Sequence, residues 1–265
     1  MKRRNLAGGV ILILVGILVL LGNFNIIHVN VWELLWPLLL IWVGVQFLLR
    51  PRWQSVSPTG EHVTLPIKGI EAADIQIDHG AGQLHLHGNT APDELMDGSF
   101  GTGLVYDLTT SGVRARLKMR PPVDDPFSRV GWESAKGRGW SFGLNNAIPL
   151  TLDLRTGASE AELDLETLDL KLLTLRTGAS ETRVTLPANA GFTRVKVETG
   201  MAAVRLAVPE GVGARIRATG GLAEIKVDQT RFPRSAGVYQ SDNYDTADNK
   251  LDIELTVGLG SAHIN

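Results

Sequence analysis

The chain contains no cysteine among its 265 residues. That absence removes thiol catalysis, cysteine-ligated zinc, iron–sulfur clusters and lipid attachment through a cysteine. It leaves the compartment open, because an exported protein can also do without disulfides. Aromatic residues are scarce at 6%, and neither charge sign dominates, with a formal net charge of −2. A chain without a basic domain or stripe gives no reason to expect nucleic-acid binding. At 44% hydrophobic it is too apolar for a disordered polymer and long enough for one large or two small cored domains.

What is present is unevenly spread. The first 53 residues hold five basic groups (Lys2, Arg3, Arg4, Arg50 and Arg52) against one acid, Glu33, leaving 21 basic and 27 acidic groups for the rest. Leu6 to Gly22 carries no charge, and Val31 to Leu49 carries only Glu33 near its start. At about 1.5 Å rise per residue each run approaches the ~30 Å apolar thickness of a bilayer. Trp32, Trp36 and Trp53 flank the second run, as an interfacial aromatic belt does. We therefore expect a transmembrane helical hairpin over residues 1–53, with helices at 6–22 and 31–49. A cleaved signal peptide is the competing reading, but Leu21-Gly22-Asn23 is not a small-x-small site and a second apolar run follows at once. The loop from Asn23 to Asn30 has no Lys or Arg whereas both outer ends do. The positive-inside rule then places the rest of the chain on the cytoplasmic side of a multi-pass protein of the cell (inner) membrane.

Residues 54–60 read as a linker. Beyond them the chain repeats itself: Leu154-Arg-Thr-Gly-Ala-Ser-Glu-Ala-Glu-Leu163 returns 21 residues later as Leu175-Arg-Thr-Gly-Ala-Ser-Glu-Thr-Arg-Val184. Thr199-Gly200 and Thr219-Gly220 continue the series, with outlying copies around Gly80 and Gly258. Aliphatic residues stand five and three positions before the glycines, as in Leu152/Leu154, Leu173/Leu175 and Val195/Val197. After a short turn an alternating pair follows, such as Leu163/Leu165, Val184/Leu186 and Ile225/Val227. A period of two on both sides of a glycine corner means strand, turn, strand with the aliphatic column inside. Stacked at a period of about 21 residues, such units bury a column that none could bury alone, which defines an all-β solenoid. The corners are expected at Thr156-Gly157, Thr177-Gly178, Thr199-Gly200 and Thr219-Gly220, with the threonine hydroxyls stacked as a ladder. Ile216 is one residue out of phase with Gly220, which suggests a bulge. The repeats occupy 149–265, interrupted by a polar, loop-like insertion at 228–250. Residues 61–148 form a strand-rich but loosely repetitive β region that ends in an aromatic and glycine-rich insertion, 121–148.

The hairpin residues Gly9 to Gly16, Trp36-Pro37-Leu-Leu-Leu-Ile41 and Gly44 resemble the LiaI/LiaF-like transmembrane region of bacterial envelope proteins. The Thr-Gly repeats resemble the toast-rack, or adhesin-like, β-solenoid often joined to it, and Tyr239 to Leu255 with Gly258-Leu-Gly260 and Ile264 resembles the usual end of such domains. The resemblance implies a non-enzymatic membrane protein. The best-described relatives restrain a sensor histidine kinase in the cell-envelope stress response, so a kinase of that class is the implied partner, besides the lipid bilayer.

His85 and His87 share a strand face and could supply two metal ligands, but no third is evident, and we read them as solvent-facing. His79 replaces the corner threonine of the first repeat and reads as a hydrogen-bonded cap. Asp242, Asp245 and Asp248 lack the spacing of a calcium loop, and Gly98 to Gly103 lacks the lysine of a phosphate loop. Glu160, Glu162 and Asp164 with Arg183 could imitate a glycan-cleaving cluster, yet charges on an exposed strand face usually keep it soluble. Phe127, Trp132, Trp140 and Phe142 in the insertion either face a partner or fold back onto the solenoid. No cofactor is expected. The sequence thus reads as a membrane-anchored interaction protein, with an outward-facing adhesin-like or envelope-scaffold module, binding surface polymer or an exported protein, as the alternative.

Overall fold

The computed structural model describes residues 61–88, 90–101, 103–122 and 139–265. The expected hairpin over 1–53, the linker at 54–60, and Phe127 and Trp132 lie outside the described residues. The chain divides into two units, Met1–Ser55 and Val56–Asn265, and every described residue belongs to the second. Among the described residues all regular structure is β, joined in one 13-stranded sheet.

Six long strands make the body of that sheet: β2 (Ala72–Gly88), β7 (Leu150–Asp164), β8 (Leu170–Thr185), β9 (Phe192–Ala207), β10 (Gly213–Val227) and β13 (Lys250–Ile264). They pair in parallel, in the spatial order β2, β7, β8, β9, β13, β10. Each runs through its glycine, and there the alternation of buried and exposed residues changes phase. In β7, Leu150, Leu152, Leu154 and Thr156 are buried before Gly157, and Ser159, Ala161 and Leu163 after it. The two halves thereby present one aliphatic lining, and Leu152, Leu154, Leu173, Leu175, Val195, Val197, Ile253 and Leu255 are all 2% exposed or less.

The coils do not stack in chain order. The last strand, β13, inserts between β9 and β10, pairing Ile253 with Val195 on one side and with Ile216 on the other. Burial explains the exchange. Where β13 carries Leu255 and Val257, β10 carries Ala218 and Gly220, so the strand with less apolar surface takes the end of the stack. The segment after β10 carries the chain back across one coil. It is less loop-like than its composition suggests, since it contains β11 (Arg234–Ser235) and β12 (Val238–Gln240) and buries Phe232 completely.

At the other end, the outer edge of β2 is covered in two pieces. β5 (Arg114–Arg120) pairs with residues 72–77 and β6 (Trp140–Leu144) with residues 84–88, both in parallel. Antiparallel strands extend these pieces: β3 (Glu94–Phe100) and β1 (Glu61–Pro66) beyond β6, and β4 (Val105–Ser111) beyond β5. This antiparallel cap is why residues 61–120 look strand-rich without repeating. It also corrects the insertion at 121–148, whose final residues include a core strand.

Candidate functional site

Each solenoid coil turns at a glycine stacked on the glycine of the next coil. A Cβ on Gly178 would stand 3.0 Å from the Gly157 carbonyl oxygen, on Gly200 3.2 Å from that of Gly178, and on Gly258 2.7 Å from that of Gly200. Gly157 is held closer still to the Gly80 carbonyl oxygen. Close approach of backbone to backbone, rather than an unusual φ, is what demands glycine here.

The fourth expected corner is corrected. The residue beside Gly258 is Gly221, whose Cβ would be 2.9 Å from the Gly258 carbonyl oxygen, while Gly220 pairs with Val257 and Thr219 with Thr256. Counted from Gly221, Ile216 and Ala218 fall at minus five and minus three, so the strand is in phase. No register shift interrupts the β10–β13 ladder at Ile216, and the expected bulge does not exist.

The threonines that do precede the corners are buried. Thr156, Thr177 and Thr199 stand in register between 6% and 7% exposed, with His79 before them and Val257 after. Their hydroxyls make no hydrogen bond, so the expected ladder is a packing column and not a hydrogen-bonded one. His79 is likewise buried, with Nδ1 unpaired and its ring edge-on to Trp140 at 5.2 Å. It does not act as a hydrogen-bonded cap through Nδ1; burial pushes its pKa down to about 4, which keeps the ring neutral.

Outside the column runs a shallow groove of about 440 Å³ lined by Arg155, Arg176, Glu198 and Thr256 with the corner residues. Its charges are already matched. Arg176 bridges Asp153 and Glu198 at 3.1 Å each, and Lys196 also reaches Glu198 at 2.7 Å. The hydrogen bond from Lys196, and then that from Arg176, holds the Glu198 carboxyl below its ordinary range, and the hydrogen bond to Asp153 raises Arg155. Across the corner Arg183 is shared between Glu181 and Glu160, and Arg205 also binds Glu181. Glu160 and Arg183 thus belong to an outward-facing ion-pair network, with Glu162 beside His85 and Asp164 exposed on the same outer face.

What the ridge of the corner offers instead is apolar. The residues just past the glycines stand in register as Ala81, Ala158, Ala179, Met201, Leu259 and Leu222. The last three are large and open to solvent: Met201 is 63% exposed, Leu259 45% and Leu222 84%. Sequence reasoning passed over them because each stands alone in its repeat. Only the displaced position of β13 brings Leu259 between Met201 and Leu222.

The remaining candidates are placed as follows. His85 and His87 lie on the outer face of β2, with His85 Nδ1 3.4 Å from Glu162 Oε2. Among the described residues no group of three or more His, Asp or Glu side chains is placed to hold a metal ion. Trp140 and Phe142 are not on the surface. Both are fully buried in β6 against Phe100, with ring centroids 5.2 and 5.5 Å away, so of the two readings of these aromatics they follow the one that folds onto the solenoid. The reason is the pairing of β6 with β2, which points both side chains inward. Asp242, Asp245 and Asp248 are exposed on the turns before β13, where Asp245 meets Arg215 at 4.0 Å.

A parallel, glycine-cornered all-β stack behind an apolar, basic-flanked N-terminus defines a membrane-anchored repeat protein. The chain belongs to the family described by the N-terminal domain of toast_rack, DUF2154, which matches residues 54–207. A second family, the LiaF transmembrane domain, matches residues 2–59. The fold is also that of a solved structure from Clostridium sporogenes, described as a candidate cell adhesion protein. It is 21% identical with a TM-score of 0.69, over 78% of this chain and 99% of that one. No curated protein matches the chain.

Proposed function

We propose that this is a non-enzymatic, multi-pass protein of the bacterial cytoplasmic membrane. Its solenoid binds a membrane partner of the sensor histidine kinase class and restrains it until the envelope is stressed. The observation that carries the reading is the exposed apolar ridge of Met201, Leu259 and Leu222, beside a groove whose charged side chains are already paired with one another. Exposed apolar residues aligned on a rigid scaffold mark a contact surface, and aliphatic and Met side chains there can be desolvated by a partner. A LiaF-like membrane domain in the same chain supports a partner in the same bilayer, where confinement raises the effective concentration of both. Restraint then works by occupancy, with the kinase shifted to its inactive state while bound.

Deleting the gene should raise basal envelope-stress reporter output, and Met201→Ser/Leu222→Ser/Leu259→Ser at normal abundance should reproduce the deletion. Unchanged output in the deletion strain overturns the proposal.

A second reading is favoured by the structural neighbour's description as a candidate cell adhesion protein. In that reading the solenoid faces outward and binds surface polymer or an exported protein. The absence of Lys and Arg from the loop at 23–30 supports the cytoplasmic placement instead. A C-terminal reporter active only outside the cytoplasm separates the two: a dark fusion supports the kinase reading, and a bright one the adhesin-like reading.

A further inference from the structure

The stack ends in an open edge on β10. Its first half is closed, because β12 pairs antiparallel with it through Arg215–Gln240 and Ile216–Tyr239. Among the described residues, Ala218 to Val227 has a strand neighbour on one side alone, β13. The inward residues of this half, Ala223, Ile225 and Val227, are only partly buried, whereas the corresponding residues of inner coils are sealed. Ala262 and Ile264 of β13 are 1% and 2% exposed, and Val204 and Leu206 of β9 1% and 0%. The aliphatic lining therefore continues to the last coil and stops without a cover.

The other outer strands are differently built. β1 ends at Pro66, and six of the seven residues of β4 are exposed, so neither presents an unfinished apolar row. The open half of β10 has no proline and no bulge to interrupt pairing. Such an edge is a template for strand addition unless something fills it.

We infer that the open half of β10 pairs antiparallel with the same segment of a second copy, about a two-fold axis through Ile225. The charges select this occupant and this register. With Ile225 opposite itself, Glu224 of each chain faces Lys226 of the other, giving two opposite-charge pairs on the outer face. On the inner face Ala223 meets Val227 twice and Ile225 meets Ile225, which completes the apolar lining across the axis. Directly opposed residues of an antiparallel pair share a face, so inward residues meet only inward ones. Moving the axis by one residue, to Glu224, would place that carboxylate opposite its own copy. Within one chain Glu224 and Lys226 already attract, 2.8 Å apart, and the Lys226 hydrogen bond holds the Glu224 carboxyl low. The Glu224 carboxyl is therefore ionised at neutral pH, and both side chains are exposed, so the pair can be shared across the axis. A two-fold contact of this kind closes on itself and consumes both edges. The membrane anchor concentrates copies in two dimensions, which favours it further.

The full chain in detergent micelles or nanodiscs tests the inference, and its lack of cysteine makes any introduced thiol unique. Light scattering should give twice the chain mass. Ile225→Cys should form a disulfide-linked dimer on mild oxidation. Co-expressed Glu224→Cys and Lys226→Cys chains should cross-link to each other several-fold more than either does alone. Lys226→Glu, an exposed change that spares the fold, should reduce the mass to one chain, and Glu224→Lys/Lys226→Glu should restore it. A wild-type chain that stays at monomer mass overturns the inference, as does Glu224→Cys alone cross-linking as well as the mixed pair. Neither result bears on the reporter output of the deletion strain, so this contact and the proposed restraint fail separately.

Discussion

Gly258 lies beside Gly200 with no room for a side chain: a methyl group on Gly258 would stand 2.7 Å from the Gly200 carbonyl oxygen. The same backbone contact recurs down the corner, and it is what lets coils about 21 residues long stack without a gap.

Gly258→Ala should therefore destabilise the domain by about 1–3 kcal/mol, the usual cost of forcing backbone apart in a packed region. At Gly220 the nearest obstacle is the flexible end of Ile225, 3.1 Å away, and the residue is exposed. Gly220→Ala should cost well under half as much. Thermal unfolding of the full chain followed by circular dichroism checks both, and equal losses would contradict the assignment of the corner to Gly221.

The buried threonines invite the opposite kind of change. Thr177 Oγ1 is enclosed and unpaired, whereas Val257 fills the same column in β13 at 1% exposure. Thr177→Val keeps the shape and removes a buried hydroxyl that has no partner, so it should stabilise by roughly 1 kcal/mol. A lower melting temperature for this variant would show that the hydroxyl is bonded after all.

His79 makes the domain sensitive to acid. Its folded pKa, about 4, lies below the ordinary 6.5, so between those values the unfolded chain binds more protons than the folded one. The stability that His79 permits is complete above about pH 6.5, falls as the pH drops toward 4, and levels off below it. The loss is on the order of 3 kcal/mol over that window. Denaturant unfolding at pH 7 and pH 4.5 should show most of this difference, and His79→Thr, the residue of the neighbouring coils, should remove it.

Trp140 separates a core role from a docking role. Fully buried beside His79 and Phe100, it should cost about 3–5 kcal/mol when truncated to Ala. A Trp140→Ala chain that unfolds like the wild type but loses signalling would restore the docking role.

Much of this molecule was legible one repeat at a time. Leu152, Leu154, Leu163 and their counterparts show alternation on both sides of the glycines, and outside the terminal strand β10 all of them are buried as the alternation requires. His79 was found in the threonine column because it precedes Gly80 as Thr156 precedes Gly157. Where repeats are imperfect the reading slipped. Thr219-Gly220-Gly221 offers two glycines, and the Thr-Gly pair selected the wrong one. The burial of Trp140 was equally hidden, because β6 pairs with a strand more than fifty residues earlier.

The sequence alone determined the coil: where a strand runs, which side chains it turns inward, and that a glycine stands at its corner. These follow from local alternation and from a steric contact every coil repeats. Only the tertiary structure decided the order of the coils, the exposed line of Met201, Leu259 and Leu222, and the unfinished edge at Ile225. The cause is a competition between whole strands for burial. The more apolar β13 displaces β10 to the end of the stack, and no single repeat carries that comparison.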